Sequence, residues 1–126
     1  MFKLSARSLG RLIGVHPALT KIVHRAIEIT HVDFSVVEGL RSLKTQRRYF
    51  ELGKSKTMNS RHLTGHAVDL APWINGTIEW EDPAGYQSVA IAMKTAAHSY
   101  GIPLEWGGDW KWKDCPHFQL SWSAYP

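Results

Sequence analysis

Two segments of the chain place apolar residues at the three- and four-residue spacing of an amphipathic helix. The first covers residues 17–30, where Pro17 suits the first helical position. The second opens after Asp82 and ends at Gly101. Each segment therefore predicts a helix with one apolar face directed at a core.

The rest of the pattern predicts one further helix and several short strands. Ser42 is suited to cap a helix that runs to Leu52, and the polar residues 54–65 predict a long loop. Asn75-Gly76 lies between apolar residues and predicts a hairpin turn. The predicted strands are residues 34–38, 66–71, 104–106 and 117–122. The fold class is accordingly α+β, with a small antiparallel sheet and helices packed on it.

The composition limits the number of domains and the possible classes of protein, but it does not indicate a function. The 126 residues are 44% apolar and 21% charged, which predicts one soluble domain spanning residues 1–126. Cys115 is the only cysteine, so no intramolecular disulfide forms. The net charge of +4 comes from scattered residues, and its densest group reads as a solvated helix face and loop. That group is Lys44, Arg47, Arg48, Lys54, Lys56 and Arg61.

Asp69 and His117 stand out because they interrupt apolar strands, where an isolated polar side chain is costly unless it is paired or bound to a metal. If the two strands pair, these side chains face one another, and His62 folds back from the loop toward them. Two imidazoles and one carboxylate leave a fourth position open, which is typical of catalytic zinc. The alternative is three ordinary structural residues: a capping histidine, a hydrogen-bonded aspartate and a core histidine.

Other polar residues close to this group in the sequence are further candidates for the site. Asp114, three residues before His117, is the candidate general base, against the alternative of a surface turn residue. His66 shares a four-residue spacing with His62, but strand alternation directs it away from Asp69. Cys115 is expected to be a partly buried free thiol. Two interpretations remain for Glu105 and Asp109: each either orients a ligand histidine or lies at the surface.

The segment from Ser60 to Asp69 resembles the S-x-H-x-x-G-x-A-x-D signature of the D-Ala-D-Ala metallopeptidase family, and Asp114 to His117 resembles its closing acidic-x-x-His motif. Residues 39–42 and 106–110 are most similar to phage L-alanyl-D-glutamate endolysins within that family. The resemblance implies the hedgehog and D-Ala-D-Ala peptidase type of zinc fold. It implies Zn²⁺ on His62, Asp69 and His117.

The same resemblance implies roles for three further residues. Asp114 corresponds to the general base and later proton donor. Arg41 matches an arginine that steadies the developing oxyanion, although a salt-bridging role is the alternative. Ser60 matches a serine that contacts substrate, and Gln46 lies near a position that is often polar but receives no role.

The implied activity is hydrolysis of the L-alanyl-D-glutamate bond of wall peptides during phage-driven lysis. A D,D- or L,D-carboxypeptidase acting on the same peptides is the nearest alternative, and a non-catalytic zinc module is another. A nucleic-acid module has only net charge in its favour. The expected protein is a monomer without stable membrane insertion that binds wall peptide. By analogy with the family, the lack of a separate wall-binding module suggests a thin Gram-negative wall as the target. The protein is expected to be made in the host cytoplasm without a signal peptide and to reach the wall through a holin-type lesion.

Overall fold

The computed structural model describes all residues 1–126, which form five strands, four α-helices and two short 3-10 turns. The helices are α1 (Ala6–Arg11), α2 (Pro17–Ile29), α3 (Leu43–Glu51) and α4 (Pro83–Tyr100). The strands are β1 (Phe34–Glu38), β2 (Ala67–Ile74), β3 (Thr77–Ile78), β4 (Leu104–Trp106) and β5 (His117–Leu120). The 3-10 turns are Arg61–Thr64 and Gly107–Asp109. The α+β class predicted from the sequence is confirmed.

The sheet is antiparallel in the order β1-β2-β5-β4, with β3 paired to the end of β2. Because side chains alternate along a strand, Val68, Leu70, Phe118 and Leu120 point into the core. Helices α2 and α4 cover that side with their apolar faces. The opposite face of the sheet therefore remains for polar side chains.

The predicted helix ends agree closely with the structure. Ser42 caps α3 by accepting a hydrogen bond from the Thr45 amide at 3.1 Å, and Asp82 caps α4 through the Gly85 amide at 3.0 Å. The turn between β2 and β3 is at Asn75, which has a positive φ of 54°. None of the helices has the combination of length and apolarity that crossing a membrane requires.

Several elements differ from the prediction, and one of them is the strand predicted at residues 66–71, which covers Ala67–Ile74 instead. Helix α1 was not predicted, because six residues containing Gly10 and two arginines show too little apolar periodicity. The predicted loop 54–65 ends in the 3-10 turn Arg61–Thr64, whose single turn is too short to give a periodic signal. The last predicted strand stops at Leu120 rather than Trp122.

Candidate metal centre

Asp69 of β2 and His117 of β5 are direct partners across the antiparallel ladder. Both side chains lie on the polar face of the sheet, opposite the core face of Val68 and Phe118. The distance from Asp69 Oδ1 to His117 Nδ1 is 3.2 Å. The strand pairing predicted from the sequence thus brings these two residues together.

His62 reaches the same point from the 3-10 turn that precedes β2. Ser60 caps this turn, with its Oγ accepting a hydrogen bond from the His62 amide at 3.2 Å. Gly65 closes it with a φ of 74°, and a Cβ there would lie 2.4 Å from the Gly14 carbonyl oxygen. The turn holds the His62 ring in a buried position, with Nε2 at 3.2 Å from Asp69 Oδ1.

Each histidine has one ring nitrogen engaged away from Asp69. His62 Nδ1 lies 2.8 Å from the Gly39 carbonyl oxygen, and His117 Nε2 lies 2.8 Å from Gln119 Oε1. Both partners are acceptors, so the engaged nitrogen of each ring can carry a proton while the other nitrogen binds a cation. When no cation is bound, those other nitrogens can themselves be protonated and donate to Asp69. One donor atom from each of His62, Asp69 and His117 lies within 4.8 Å of the others. This donor set fits a metal ion.

The electrostatics of this group favour a charged Asp69. Burial alone would raise the pKa of the Asp69 carboxyl, but hydrogen bonds from His117 and His62 outweigh it and hold the pKa below its usual range. For His117, burial works against protonation, yet the hydrogen bond to Asp69 and its negative charge raise the pKa of the imidazole. Without a metal, Asp69 therefore favours the protonated form of the His117 imidazole.

Asp114 lies beside this group on the loop between β4 and β5. Its amide donates to the Gly107 carbonyl at 2.9 Å, and a Cβ on Gly107 would lie 2.2 Å from the Asp114 carbonyl oxygen, so the contact requires glycine. Desolvation raises the pKa of the Asp114 carboxyl, and the negative charge of Asp69 raises it further. The carboxylate makes no ion pair in the structure, so it is available to exchange a proton.

Arg41 lines the same cleft and is held by a polar network. Its Nε donates to Glu38, its Nη1 donates to Gln46 Oε1 at 2.6 Å, and its guanidinium lies 4.8 Å from the Tyr49 ring centre. Gln46 is fully buried and donates in turn to the Thr57 carbonyl at 2.6 Å. Arg41 therefore does form the salt bridge considered as its alternative role, while its Nη2 donates to no protein group.

An open cleft of about 960 Å³ surrounds these residues. Trp110 lies 5.2 Å from the His117 ring and forms one wall with Trp112, while Tyr49 and the loop after α3 form the other. Most of the residues that line the cleft are polar or charged, and the four aromatic ones are Tyr49, Trp110, Trp112 and Trp122. Such a lining suits a polar peptide ligand. The cleft contains all six residues predicted from the sequence to form the site. They are Arg41, Ser60, His62, Asp69, Asp114 and His117.

The other candidate residues lie outside the metal group. His66 Nδ1 contacts Thr64 Oγ1 at 2.7 Å, and its ring packs 5.2 Å from that of His16. Cys115 is a partly buried free thiol, as predicted. Asp109 pairs with Lys94 at 2.6 Å on the surface, whereas Glu105 lines the cleft.

Two supporting groups were missed in the sequence. Gln119 lies two residues after His117, and this same-face spacing on a strand could have identified it. The Gly39 carbonyl left no such signal, because a backbone oxygen 23 positions before His62 is found only from the tertiary structure. Gln46, which received no role, proves to be the buried support of Arg41.

Comparison with known proteins supports the resemblance of the motifs. Residues 1–120 match the family described as phage L-alanyl-D-glutamate peptidase. The L-alanyl-D-glutamate peptidase of Escherichia phage T5 is 34% identical over 127 residues, covering 98% of this chain and 93% of that protein.

Solved structures agree with that assignment. The crystal structure of the Serratia marcescens L-Ala D-Glu endopeptidase ChiX has a TM-score of 0.93 and 46% identity, covering 98% of this chain and 94% of that one. The vancomycin resistance D,D-dipeptidase VanXYg has a TM-score of 0.57 and 18% identity, covering 84% of this chain and 50% of that one, and shares the fold alone. On the family match and the phage relative together, this chain belongs to the phage L-alanyl-D-glutamate peptidase family.

Proposed function

We propose that this protein is a zinc peptidase that hydrolyses the L-alanyl-D-glutamate bond in the stem peptides of bacterial peptidoglycan. The observation that carries the proposal is the convergence of His62 Nε2, Asp69 Oδ1 and His117 Nδ1 on the floor of an open cleft. The bond is suggested by the relatives, among which the phage T5 protein and ChiX are named for it.

In this proposal His62, Asp69 and His117 hold the zinc. Two nitrogens and one oxygen suit Zn²⁺, and each histidine has the second hydrogen bond that usually orients a zinc ligand. When bound, zinc would supply a Lewis acid that polarises the scissile carbonyl and makes water a nucleophile near neutral pH.

The chain's own residues carry the remaining steps. Asp114 takes a proton from the attacking water and returns it to the amine of D-glutamate as the C–N bond breaks. The fixed charge of Arg41 opposes the negative charge that develops on the carbonyl oxygen, and its network with Glu38 and Gln46 holds it in place before the reaction. Ser60 contacts the peptide from the edge of the cleft.

Digestion of purified peptidoglycan tests the bond assignment. Mass spectrometry of the products should reveal free L-alanine carboxyl ends on the glycan side and D-glutamate amino ends on the released peptides. Release of terminal D-alanine instead would identify the carboxypeptidase alternative. An absence of any product from zinc-loaded protein would favour the non-catalytic zinc module.

We further propose a role in host lysis, with synthesis in the host cytoplasm and release to the wall through a holin-type lesion. The phage source of the family and of the T5 relative supports the lysis role. Cells that express the protein should lyse only when their inner membrane is permeabilised. An Asp114→Asn variant is the matched control, because lysis by either route should then be lost. Lysis by wild-type protein without permeabilisation would contradict this route.

A further inference from the structure

Three lysines on the loops around the cleft lack an acidic partner. Lys54 and Lys56 follow α3, Lys113 precedes Asp114, and we refer to these three as the lysine rim. All three are exposed, and none lies within 4.0 Å of a carboxylate, whereas Lys94 pairs with Asp109 at 2.6 Å. The sequence pattern assigns Lys44, Lys54 and Lys56 to one solvated basic surface. In the structure Lys54 and Lys56 line the cleft, whereas Lys44 does not.

Each lysine of the rim is positioned by a group that leaves its charge uncompensated. Lys56 Nζ lies 4.7 Å from the Trp112 ring centre, and Lys113 Nζ donates to the Gly108 carbonyl at 3.1 Å. Lys54 Nζ lies 5.9 Å from the Tyr49 ring centre. An ammonium group has three donors, so these contacts leave donors available to a ligand.

The acidic side chains of the cleft are arranged differently. Glu38, Asp69 and Glu105 belong to strands of the floor, and the first two are engaged by Arg41 and by the histidines. Asp114 alone among the acids lies on a loop of the rim. Arg61 also lines the cleft but is buried, so the exposed cations of the cleft without an acidic partner are the three lysines of the rim, and these can attract a negative charge on a bound peptide.

We propose that the lysine rim binds the free carboxylate of the glutamate residue at the scissile bond and selects peptides in which it is not amidated. This rests on the proposed function. A glutamate that is acylated on its amine and linked onward through one carboxyl keeps its other carboxyl. Within an L-alanyl-D-glutamate substrate, that carboxylate lies within a few bonds of the scissile amide. Lys113 directly precedes Asp114, the proposed base for that amide, and all three lysines line the same cleft.

The test uses two synthetic peptides that contain an L-alanyl-D-glutamate bond and differ only in a free carboxylate or a carboxamide on that glutamate. The zinc-loaded wild-type protein should cleave the acid with kcat/KM about 5-fold or more above the amide. Lys54→Gln, Lys56→Gln and Lys113→Gln should each lower kcat/KM for the acid by about 2- to 5-fold, mainly through KM, as expected for exposed charge pairs. The triple variant should bring the acid-to-amide ratio close to 1.

Lys44→Gln is the matched control, because Lys44 is an exposed lysine on α3 outside the cleft and should leave the ratio unchanged. Equal cleavage of both peptides by the wild-type protein would overturn the proposal. A triple variant that keeps the wild-type ratio would overturn it as well. Failure of the wild-type protein to cleave either peptide at this bond would instead overturn the proposed function, and the role of the rim with it.

Discussion

Asp69 and His117 face each other across β2 and β5, with 3.2 Å between Oδ1 and Nδ1, on the only sheet face that the helices α2 and α4 leave uncovered. Their partner His62 comes from the turn that leads into β2. Two of the three proposed zinc ligands are therefore fixed by the sheet itself. The orientation of both rings depends on acceptors farther out, Gly39 and Gln119.

Gln119 should matter for metal affinity although it is not a proposed ligand. Gln119→Leu removes the acceptor of His117 Nε2 at similar side-chain volume, and zinc affinity should fall by about 10- to 100-fold. Gln119→Glu, which keeps an acceptor, should restore most of it. Competition with a chromophoric chelator measures the affinity, and Gln87→Leu on the exposed side of α4 is the control. Unchanged affinity in Gln119→Leu would refute the orienting role.

Asp114 should be separable from the metal ligands. Asp114→Asn should keep zinc and the melting temperature but lose about 10²-fold or more in kcat, the usual contribution of a general base. Steady-state cleavage of a wall peptide and zinc analysis of the same sample provide the two readouts. Asp109→Asn, in the same loop region but paired with Lys94, should retain activity. Near-normal turnover in Asp114→Asn would show that another group moves the proton.

Arg41 has two possible roles that one variant distinguishes. Arg41→Ala should lower kcat by about 10²-fold with zinc retained if the guanidinium stabilises the carbonyl oxygen in the transition state. A lower melting temperature with normal turnover would instead indicate that only its contacts with Glu38 and Gln46 matter. Arg47→Ala, on the exposed face of α3, controls for loss of positive charge.

The order of elements could be predicted from the sequence because local signals determine them. Pro17 opens α2, Ser42 caps α3 and Asp82 caps α4, and each signal acts within a few residues. The pairing of Asp69 with His117 could be predicted because side chains alternate between the two faces of a strand. A one-residue shift of the strands would turn these two polar side chains into the core.

Contacts between distant parts of the chain leave no local pattern in the sequence. Arg61 is buried, donates to the carbonyls of Leu120 and Tyr125, and stacks 3.9 Å from Trp122, yet in the sequence it looked like one more surface cation. Burial of a charge depends on partners about 60 positions away, which no local pattern encodes. The roles of the six site residues and the single-domain assignment stay predictions.

The zinc-free protein should lose stability as the pH rises through neutrality. The folded state raises the pKa of His117 above its ordinary value of about 6.5. The contribution of His117 to the free energy of unfolding is therefore complete below about pH 6.5 and is lost as the pH rises through the raised pKa. Asp69 has a lowered pKa, so its contribution is present above about pH 4 and is lost in acid. Thermal melting in chelator from pH 5 to 9 measures this.

A His117→Gln variant should lose most of this slope between pH 6 and 8. Zinc should invert it, because the metal competes with the proton on His117 and binds more tightly as pH rises. A wild-type protein whose zinc-free melting temperature increases from pH 6 to 8, with the same slope in His117→Gln, would show that the Asp69 and His117 pair does not govern this range.

One zinc ion should bind between the loop and the two strands, and anomalous diffraction at the zinc edge tests this most directly. The map should contain one strong peak per chain, about 2.0–2.2 Å from His62 Nε2, Asp69 Oδ1 and His117 Nδ1. Chelation should remove the peak and lower the melting temperature without unfolding the chain at room temperature, since the core of α2 and α4 packs independently of the metal. A peak at His16 and His66, or no peak in a zinc-soaked crystal, would contradict the claim.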